Sequence, residues 1–193
     1  MTENIKNRLQ IISDETEVQK IRKFLRSKKT NQEIDLGNIQ QMPHLVEITK
    51  FPVESNFKET IIPKNSNSKE QQQIISKMNE INEKTAARLL YIKHAFGSSN
   101  SQDWAQKNWG SKSNAFDTNT NKDTLNLLNF HTNGASPIIA IKKLSTKFPS
   151  AIFVLTFADL ISKVDQGRIK LQNGEILEYK GNGKFANLKS LNH

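Results

Sequence analysis

The first residues of the chain change from a strand-like to a helical spacing of apolar positions. Residues 7–13 (NRLQIIS) mix polar and apolar positions in a way that predicts a first β-strand. The acidic residues 14–17 suit the positive end of a helix, and an apolar stripe with three- and four-residue spacing begins at Val18. The spacing therefore predicts a helix from about Glu15 to Lys28.

Residues 30–67 have the pattern of an irregular segment that leads into one long helix. Three prolines interrupt the segment and leave room for short strands at 34–36 and 45–51. Apolar residues then keep a helical period from 69 to 96, and Gly97 provides a stop. Core packing explains this stripe, but the broader apolar surface at 89–92 is also compatible with a dimer seam, so the helix 69–96 is a candidate oligomer contact.

The second half of the chain predicts two further strands, one helix and a hairpin. Residues 123–132 alternate as a strand, and Ser136-Pro137 is typical of a helix N-terminus, with the helix ending before Pro149. The continuous apolar run 151–158 predicts a central strand buried on both faces. Asn173-Gly174, with strand-forming residues on either side, favours a tight hairpin turn.

This order of elements predicts the fold class α+β. It matches a ferredoxin-like plait (split βαβ) with a long inserted helix and a C-terminal β-hairpin. The expected organisation is a single domain over 1–193, with an insertion at about 52–122.

Composition and charge limit the classes of protein that the chain can belong to. It has 193 residues and no cysteine, which excludes disulfides and thiolate metal sites. Its start lacks the pattern of a secretion signal and no apolar run is long enough for a bilayer, so we expect a cytoplasmic protein without a membrane partner. The formal net charge of +9 favours polyanionic partners, although an AT-rich genome produces the same abundance of Lys, Asn and Ile.

The densest group of basic residues lies on the first predicted helix. Its candidate polyanion-binding residues are Lys20, Arg22, Lys23 and Arg26, on the side away from the apolar stripe. The alternative is a solvated helix face whose cations lie near the negative end of the helix.

Both tryptophans of the chain belong to one short segment, residues 103–116. Trp104 and Trp109 are five residues apart, and Asn108 and Gly110 complete a motif that we interpret as structural. Residues five apart do not share one helix face, so the two rings would fix the segment from two sides.

Several ordered motifs together resemble the YubB-type ferredoxin-like family. They are residues 34–36 leading to Met42-Pro43, Trp104 with 108–112, 130–132 followed by Ser136-Pro137, and 144–149. The resemblance implies a ferredoxin-like fold in a small protein carried by phages, plasmids and related mobile elements. It implies no catalytic activity, and Ser113 stands where the family usually has a tryptophan.

The residues give little support to an enzyme. No two of the four histidines have metal-ligand spacing, and there is no glycine-rich phosphate loop or nucleophile elbow. His131, at the end of a predicted strand, is a candidate general base, although a structural histidine is the simpler interpretation. We therefore expect no catalytic residues, no cofactor and no metal.

A weak anion site is predicted where the helix after Ser136-Pro137 begins. Its candidate residues are Lys112, His131, Asn133, Ser136 and Ile138, because a helix N-terminus exposes unpaired N–H groups. The alternative is that Ser136 only caps the helix and Lys112 is solvated.

The sequence thus favours a non-catalytic binding or interaction module of a mobile-element protein, with an unknown protein or nucleic acid as its partner. The alternative is a nucleic-acid-binding protein that uses the basic first helix. Phe153 and Phe157 alternate like the base-stacking residues of RNA-recognition domains, but the apolar residues between them favour a core role.

Overall fold

The alternating residues at the start of the chain form strand β1 (Asn4–Ile12), which lies inside one open, six-stranded antiparallel sheet. The sheet order is β2-β3-β1-β4-β5-β6, so β1 pairs with β3 on one side and with β4 on the other. The other strands are β2 (Phe116–Asn119), β3 (Leu127–Asn133), β4 (Ile152–Asp159), β5 (Gln166–Gln172) and β6 (Glu175–Gly181). With its helices, the sheet makes a mixed α+β fold.

The computed structural model describes residues 4–48, 84, 87–88, 90–98, 100–119, 124–161 and 166–182. Two units can be distinguished: Met1–Gln41 together with Ala105–His193, and Met42–Trp104. The first unit contains all six strands. The predicted single domain with an insertion at about 52–122 stays a prediction, because much of that range lies outside the described residues.

The helices that lie wholly within the described residues are α1 (Glu15–Leu25), α2 (Leu36–Ile39), α3 (His44–Glu47), α4 (Ser101–Asn108) and α5 (Ile138–Lys147). Helix α1 begins where the sequence predicts, because the Asp14 side chain accepts a hydrogen bond from the Glu17 N–H at 2.9 Å. It ends at Leu25, before the predicted Lys28. Across the described parts of the chain, no helix has the length and apolar content needed to cross a membrane.

One face of the sheet is the core of the first unit. Helix α5 packs against β4 and β5, and α2 contacts both α1 and α5. Phe153 and Phe157 are 0% and 1% exposed, which confirms that they are core residues. The other fully buried apolar side chains of this face include Ile5, Leu9, Ile11, Leu128, Phe130, Leu155, Ile169 and Leu171.

The opposite face of the sheet, here called the polar face, carries the side chains that alternate with this core. Its polar members include Lys6, Arg8 and Gln10 of β1, Asn129 and His131 of β3, Thr156 of β4, Gln166, Arg168, Lys170 and Gln172 of β5, and Glu175, Glu178 and Lys180 of β6. Thr156 is exposed, so the prediction that β4 is buried on both faces is wrong at this position, although Val154 on the same face is buried.

Asn7 is the one polar residue that β1 places on the buried face, and its side chain is the centre of a closed hydrogen-bond network. The Asn7 side-chain amide donates to Thr132 Oγ1 at 2.9 Å and to the Ile5 carbonyl at 3.1 Å. Its Oδ1 accepts from Ser136 Oγ at 2.7 Å, and Thr132 Oγ1 donates to the Ala135 carbonyl at 2.8 Å. A buried polar side chain is tolerated when its hydrogen bonds are satisfied in this way, and the network ties the loop after β3 to the central strand.

Two short strands predicted in the irregular segment are wrong. At 34–36, the Asp35 side chain accepts a hydrogen bond from the Gly37 N–H at 2.9 Å, so this residue caps α2 instead of extending a strand. Of the strand predicted at 45–51, residues 45–47 belong to α3, which follows Pro43, and 49–51 lie outside the described residues. Strand β2 was not predicted, because its four residues show no apolar alternation and Asp117 has a φ of +48°.

The C-terminal hairpin is confirmed, since β5 and β6 pair around Asn173 and Gly174, which have φ values of +48° and +78°. The long helix predicted at 69–96 is described in part: residues 90–96 are helical and Gly97 follows with a φ of +69°. Leu90 and Tyr91 are exposed. The dimer seam stays a prediction, because most of that helix lies outside the described residues.

Gly110 lies in close contact with the start of α5. Its φ is +91°, and a Cβ at this position would lie 3.2 Å from the Ile139 nitrogen and from the Ser136 carbonyl oxygen. Gly134 also has a positive φ, of +79°, but a Cβ there would meet the side chain of Lys112. The two glycines differ in their neighbours, which are rigid backbone in one case and a flexible side chain in the other.

We expect Gly134→Ala to lower the free energy of unfolding by about 1–2 kcal/mol, the cost of a left-handed conformation for a residue with a Cβ. Gly110→Ala should cost about 1–3 kcal/mol more, because backbone atoms cannot move aside as the Lys112 stem can. Urea denaturation of the two variants measures the difference. Equal losses would contradict a steric requirement for glycine at 110.

Candidate functional site

Three basic residues of the polar face lie in one straight row across four strands. Arg8 of β1 is opposite Thr156 of β4, Thr156 is opposite Arg168 of β5, and Arg168 is opposite Lys180 of β6. Neighbouring strands are about 4.8 Å apart, so the row extends over about 14 Å. Lys6 and Lys170 lie one side-chain position to either side of it. The sheet thus holds five cations on one surface.

An open groove of about 340 Å³ lies where β4, β5 and β6 meet on this surface. Its lining includes Thr156, Arg168 and Lys180, together with Gln166 and Asn182. The Asn182 N–H donates to the Gln166 carbonyl at 3.0 Å, and the Gln166 N–H donates to Asn182 Oδ1 at 3.1 Å, which closes one end of the strand pair. The groove combines two cations with amide and hydroxyl groups, a set suited to binding phosphate oxygens.

Glu178 partly neutralises the groove. Its carboxylate lies 3.3 Å from Arg168 Nη1 and 3.2 Å from Lys180 Nζ. The hydrogen bond and charge of Lys180, and then the charges of Arg168 and Lys170, hold the pKa of Glu178 below its usual value. This residue is therefore ionised at neutral pH and competes with any anion for the same two cations.

The remaining cations of the polar face are not neutralised in this way. Among the described residues Lys6, Arg8 and Lys170 form no ion pair. Lys6 and Arg8 are exposed, and Lys170 is half-buried. Lys6 and Arg8 therefore face solvent without a nearby carboxylate, whereas Lys170 is directly opposite Glu178 on β6.

Three of the four polyanion-binding residues predicted on the first helix have acidic partners. Arg22 donates to Glu33 Oε2 at 2.9 Å and to the Leu125 carbonyl at 3.0 Å, and its side chain is only 15% exposed. Arg26 Nε lies 3.9 Å from Glu33 Oε1, and Lys20 Nζ lies 3.5 Å from Glu17 Oε2. Lys23 is exposed. Arg22 thus has a bridging role in the fold, and polyanion binding by this helix stays a prediction.

The structure brings the two loops of the predicted anion site together. The Lys112 N–H donates to the Asn133 carbonyl at 2.9 Å, and the Lys112 side chain lies against Gly134. Ser136 does not cap α5, because Pro137 holds the N-cap position and Ser136 Oγ donates to Asn7 instead. That predicted cap is wrong.

Two N–H groups at the start of α5 have partners within the chain. The Ile138 N–H donates to the Ser136 carbonyl at 2.9 Å, and the Ala140 N–H donates to the Trp109 carbonyl at 3.0 Å. The Ile138 donor on which the anion site depends is therefore already bonded. Anion binding at this helix start stays a prediction.

The tryptophan motif has buried rings, as a structural role requires. Trp104 and Trp109 are each 4% exposed, and the Trp109 indole N–H donates to the Gln40 carbonyl at 2.8 Å. The Asn108 carbonyl, at the end of α4, accepts a hydrogen bond from Lys143 Nζ at 3.2 Å. Burial lowers the pKa of Lys143, which nevertheless keeps its position at the negative end of this helix.

The sequence reasoning missed the row of cations on the polar face. The signal was present in the alternation Lys6, Arg8 in β1 and Arg168, Lys170 in β5, each with apolar or buried neighbours. Period-two spacing places such residues on one face of a strand. Joining the two strands into one surface also required the pairing of both with β4, which local pattern does not give. Among the described residues, no group of three or more acidic or histidine side chains is placed to hold a metal ion.

Comparison with known proteins gives one distant neighbour. No protein-family model matches the chain, and no curated protein matches it. The structure is similar to the crystal structure of protein api92 from Yersinia pseudotuberculosis, described under the family DUF1281, whose function is unknown. The two sequences are 12% identical, the alignment covers 95% of this chain and 99% of that one, and the TM-score is 0.47.

We expect Trp109→Ala to lower the free energy of unfolding by about 3–5 kcal/mol, because it removes a buried aromatic ring. Trp109→Phe is the matched control: it keeps most of the apolar volume and removes the hydrogen bond to Gln40, with an expected cost of about 1–3 kcal/mol. Thermal melting followed by circular dichroism measures both. A near-normal melting temperature for Trp109→Ala combined with an absence of oligonucleotide binding would make this residue part of a ligand site.

Proposed function

We propose that the chain is a non-catalytic, nucleic-acid-binding module and that its polar face is the binding surface. The observation that carries the proposal is the row of Arg8, Arg168 and Lys180 in register across the sheet, with Lys6 and Lys170 beside it. Lysine and arginine side chains that bind phosphates supply most of the affinity of such proteins, because each neutralised phosphate releases condensed counterions.

The shape of the row supports a polymer as the ligand. The cations extend over about 14 Å and are separated by neutral polar groups such as Thr156. A small anion would use one pair of these cations, whereas a phosphate backbone places a charge at each step along the row. Around the row, β1, β4, β5 and β6 carry five cations and two acidic residues, Glu175 and Glu178, on this face.

The sheet is better supported as the surface than helix α1. On the helix, Arg22 and Arg26 are close to Glu33, and Lys20 is close to Glu17, so their charges are partly compensated. On the sheet, Lys6 and Arg8 have no acidic partner among the described residues, and the single carboxylate of Glu178 is shared by Arg168, Lys180 and Lys170. Unpaired, exposed cations attract a polyanion without first giving up an ion pair.

The proposal includes a ferredoxin-like plait as the framework. The order β2-β3-β1-β4 supports it, because β3 lies between β1 and β2 and all neighbouring strands are antiparallel. Two interleaved βαβ units produce that order. In this framework the hairpin β5–β6 extends the sheet beyond β4.

The proposed biological setting is a protein of a phage, plasmid or related mobile element. It rests on the resemblance of the motifs at 108–112 and 130–137 to the YubB-type family. A map of the genes that neighbour the coding sequence tests it, since replication, packaging or transfer genes are expected nearby.

Replacing Arg8 and Arg168 together with glutamine should weaken oligonucleotide binding. The plot of log affinity against log salt concentration should also become shallower, by about 0.7 for each phosphate of a single strand that the variant no longer neutralises. Fluorescence anisotropy of a labelled oligonucleotide over a range of salt concentrations measures both quantities. The two side chains are exposed, so we expect the variant to remain folded.

The matched control is the double replacement of Lys20 and Lys23 on α1 with glutamine, which removes the same number of charges from exposed positions. It should leave the slope of the salt dependence unchanged. The reverse result, a changed slope for the helix variant and none for the sheet variant, would move the binding surface to α1.

Glu178→Gln should strengthen binding, because it frees Arg168 and Lys180 from their carboxylate partner. Removing one charge about 4 Å from a bound phosphate is worth about 1 kcal/mol in water, or about fivefold in affinity, and less at high salt. Glu175→Gln is the control: it changes the net charge equally, at the end of the hairpin, with no ion pair among the described residues. Equal effects of the two replacements would indicate general attraction instead of a site at the groove.

A further inference from the structure

Two aromatic rings stand together at the β2 end of the polar face. Phe116 of β2 is directly opposite His131 of β3, with ring centroids 5.8 Å apart and ring planes inclined by 32°. Both residues are half-buried. Among the described strands β2 is at the edge of the sheet, and the segment beside it, residues 33–36, hydrogen-bonds to Thr118 and Asn114 on either side of Phe116.

We infer that the polar face selects single-stranded nucleic acid and that one base stacks on Phe116. This inference rests on the proposed function and names its substrate class. A base on the exposed part of the Phe116 ring would extend the existing pair of rings by a third ring. Stacking of this kind is available to an unpaired base and is closed to a base that is paired within a duplex.

The charges near the rings favour a base over a phosphate at this end. Asp117 Oδ2 lies 3.9 Å from His131 Nδ1, and the Asp117 side chain is 76% exposed. A carboxylate at this position repels a phosphate group but does not repel a neutral base. Phosphate and base positions are thereby separated along the surface, with the base at the β2 edge.

The cations continue from the rings toward the groove. Lys6 of β1 is directly opposite His131, and Arg8 follows it on the same face of β1. From there the row leads through Thr156 to Arg168 and Lys180. A nucleic-acid strand whose base lies on Phe116 therefore meets its first cation at Lys6 of β1, one β-strand beyond the ring pair and about 10 Å from β2. It meets the other cations farther across the sheet.

The test compares a fluorescein-labelled single-stranded oligothymidylate with a duplex of the same length by anisotropy. We expect the wild-type protein to prefer the single strand. Phe116→Leu, which keeps an apolar side chain but removes the ring, should lower affinity for the single strand about tenfold and leave duplex affinity unchanged. The salt dependence should not change, because no cation is removed.

Two further variants separate stacking from loss of structure. Phe116→Tyr keeps a ring and should bind the single strand like the wild type. Phe24→Leu removes a ring from α1, where Phe24 packs against Phe148, and should not change the preference for single strands. A second readout needs no variant: 2-aminopurine placed in the oligonucleotide loses fluorescence when it stacks on an aromatic ring, and this quenching is expected with the wild-type protein.

Equal binding of single strand and duplex, or unchanged single-strand affinity in Phe116→Leu without quenching of 2-aminopurine, would overturn this inference. The proposed function would still stand if the replacement of Arg8 and Arg168 changed the salt dependence. Absence of salt-sensitive binding to either oligonucleotide by the wild-type protein would overturn both. Loss of the preference in Phe116→Leu, with quenching by the wild type, supports the inference.

Discussion

The pairing of β1 with a neighbour on each side is the constraint on which the rest of the sheet depends. Leu9 is opposite both Leu128 of β3 and Leu155 of β4, so the apolar residues of three strands meet on one face. Side chains alternate along a strand, and a shift of one residue would move Lys6 and Arg8 into the core. The buried face and the polar face therefore both follow from this one register, and core packing holds the cations of the polar face in position.

Within that register, Asn7 connects the central strand to the loops that surround α5. Its amide and carbonyl groups bind Thr132 and Ser136, and the Trp109 carbonyl accepts the Ala140 N–H at the start of the same helix. The chain segments that carry Trp109 and Lys112 are thereby held to the sheet by hydrogen bonds as well as by packing. Polar groups complete a structure whose free energy comes mainly from apolar burial.

Local pattern was sufficient where the determining interaction is local. The Asp14 cap and the Asn173-Gly174 turn depend on neighbours within a few residues, and both elements were predicted. Strand β2 depends on pairing with β3 and has no pattern of its own. The acidic partners of the candidate residues on α1 could not be predicted for a related reason: Glu33 compensates Arg22 from outside the helix that the sequence pattern identifies. The sheet cations, likewise, become one surface only after distant strands have paired.

The charged edge of the sheet also affects how copies of the chain meet one another. Among the described strands, β6 is at the opposite edge from β2, and it has a register shift against β5 and the charged residues Glu175, Glu178 and Lys180. An edge strand offers unpaired backbone groups to another chain, and charges and bulges oppose such pairing. Charge on this strand therefore opposes edge-to-edge pairing between copies of the chain, and neutralising Lys180 would weaken that opposition. If the proposed polyanion binds Lys180, solubility and ligand occupancy are linked through the same side chain.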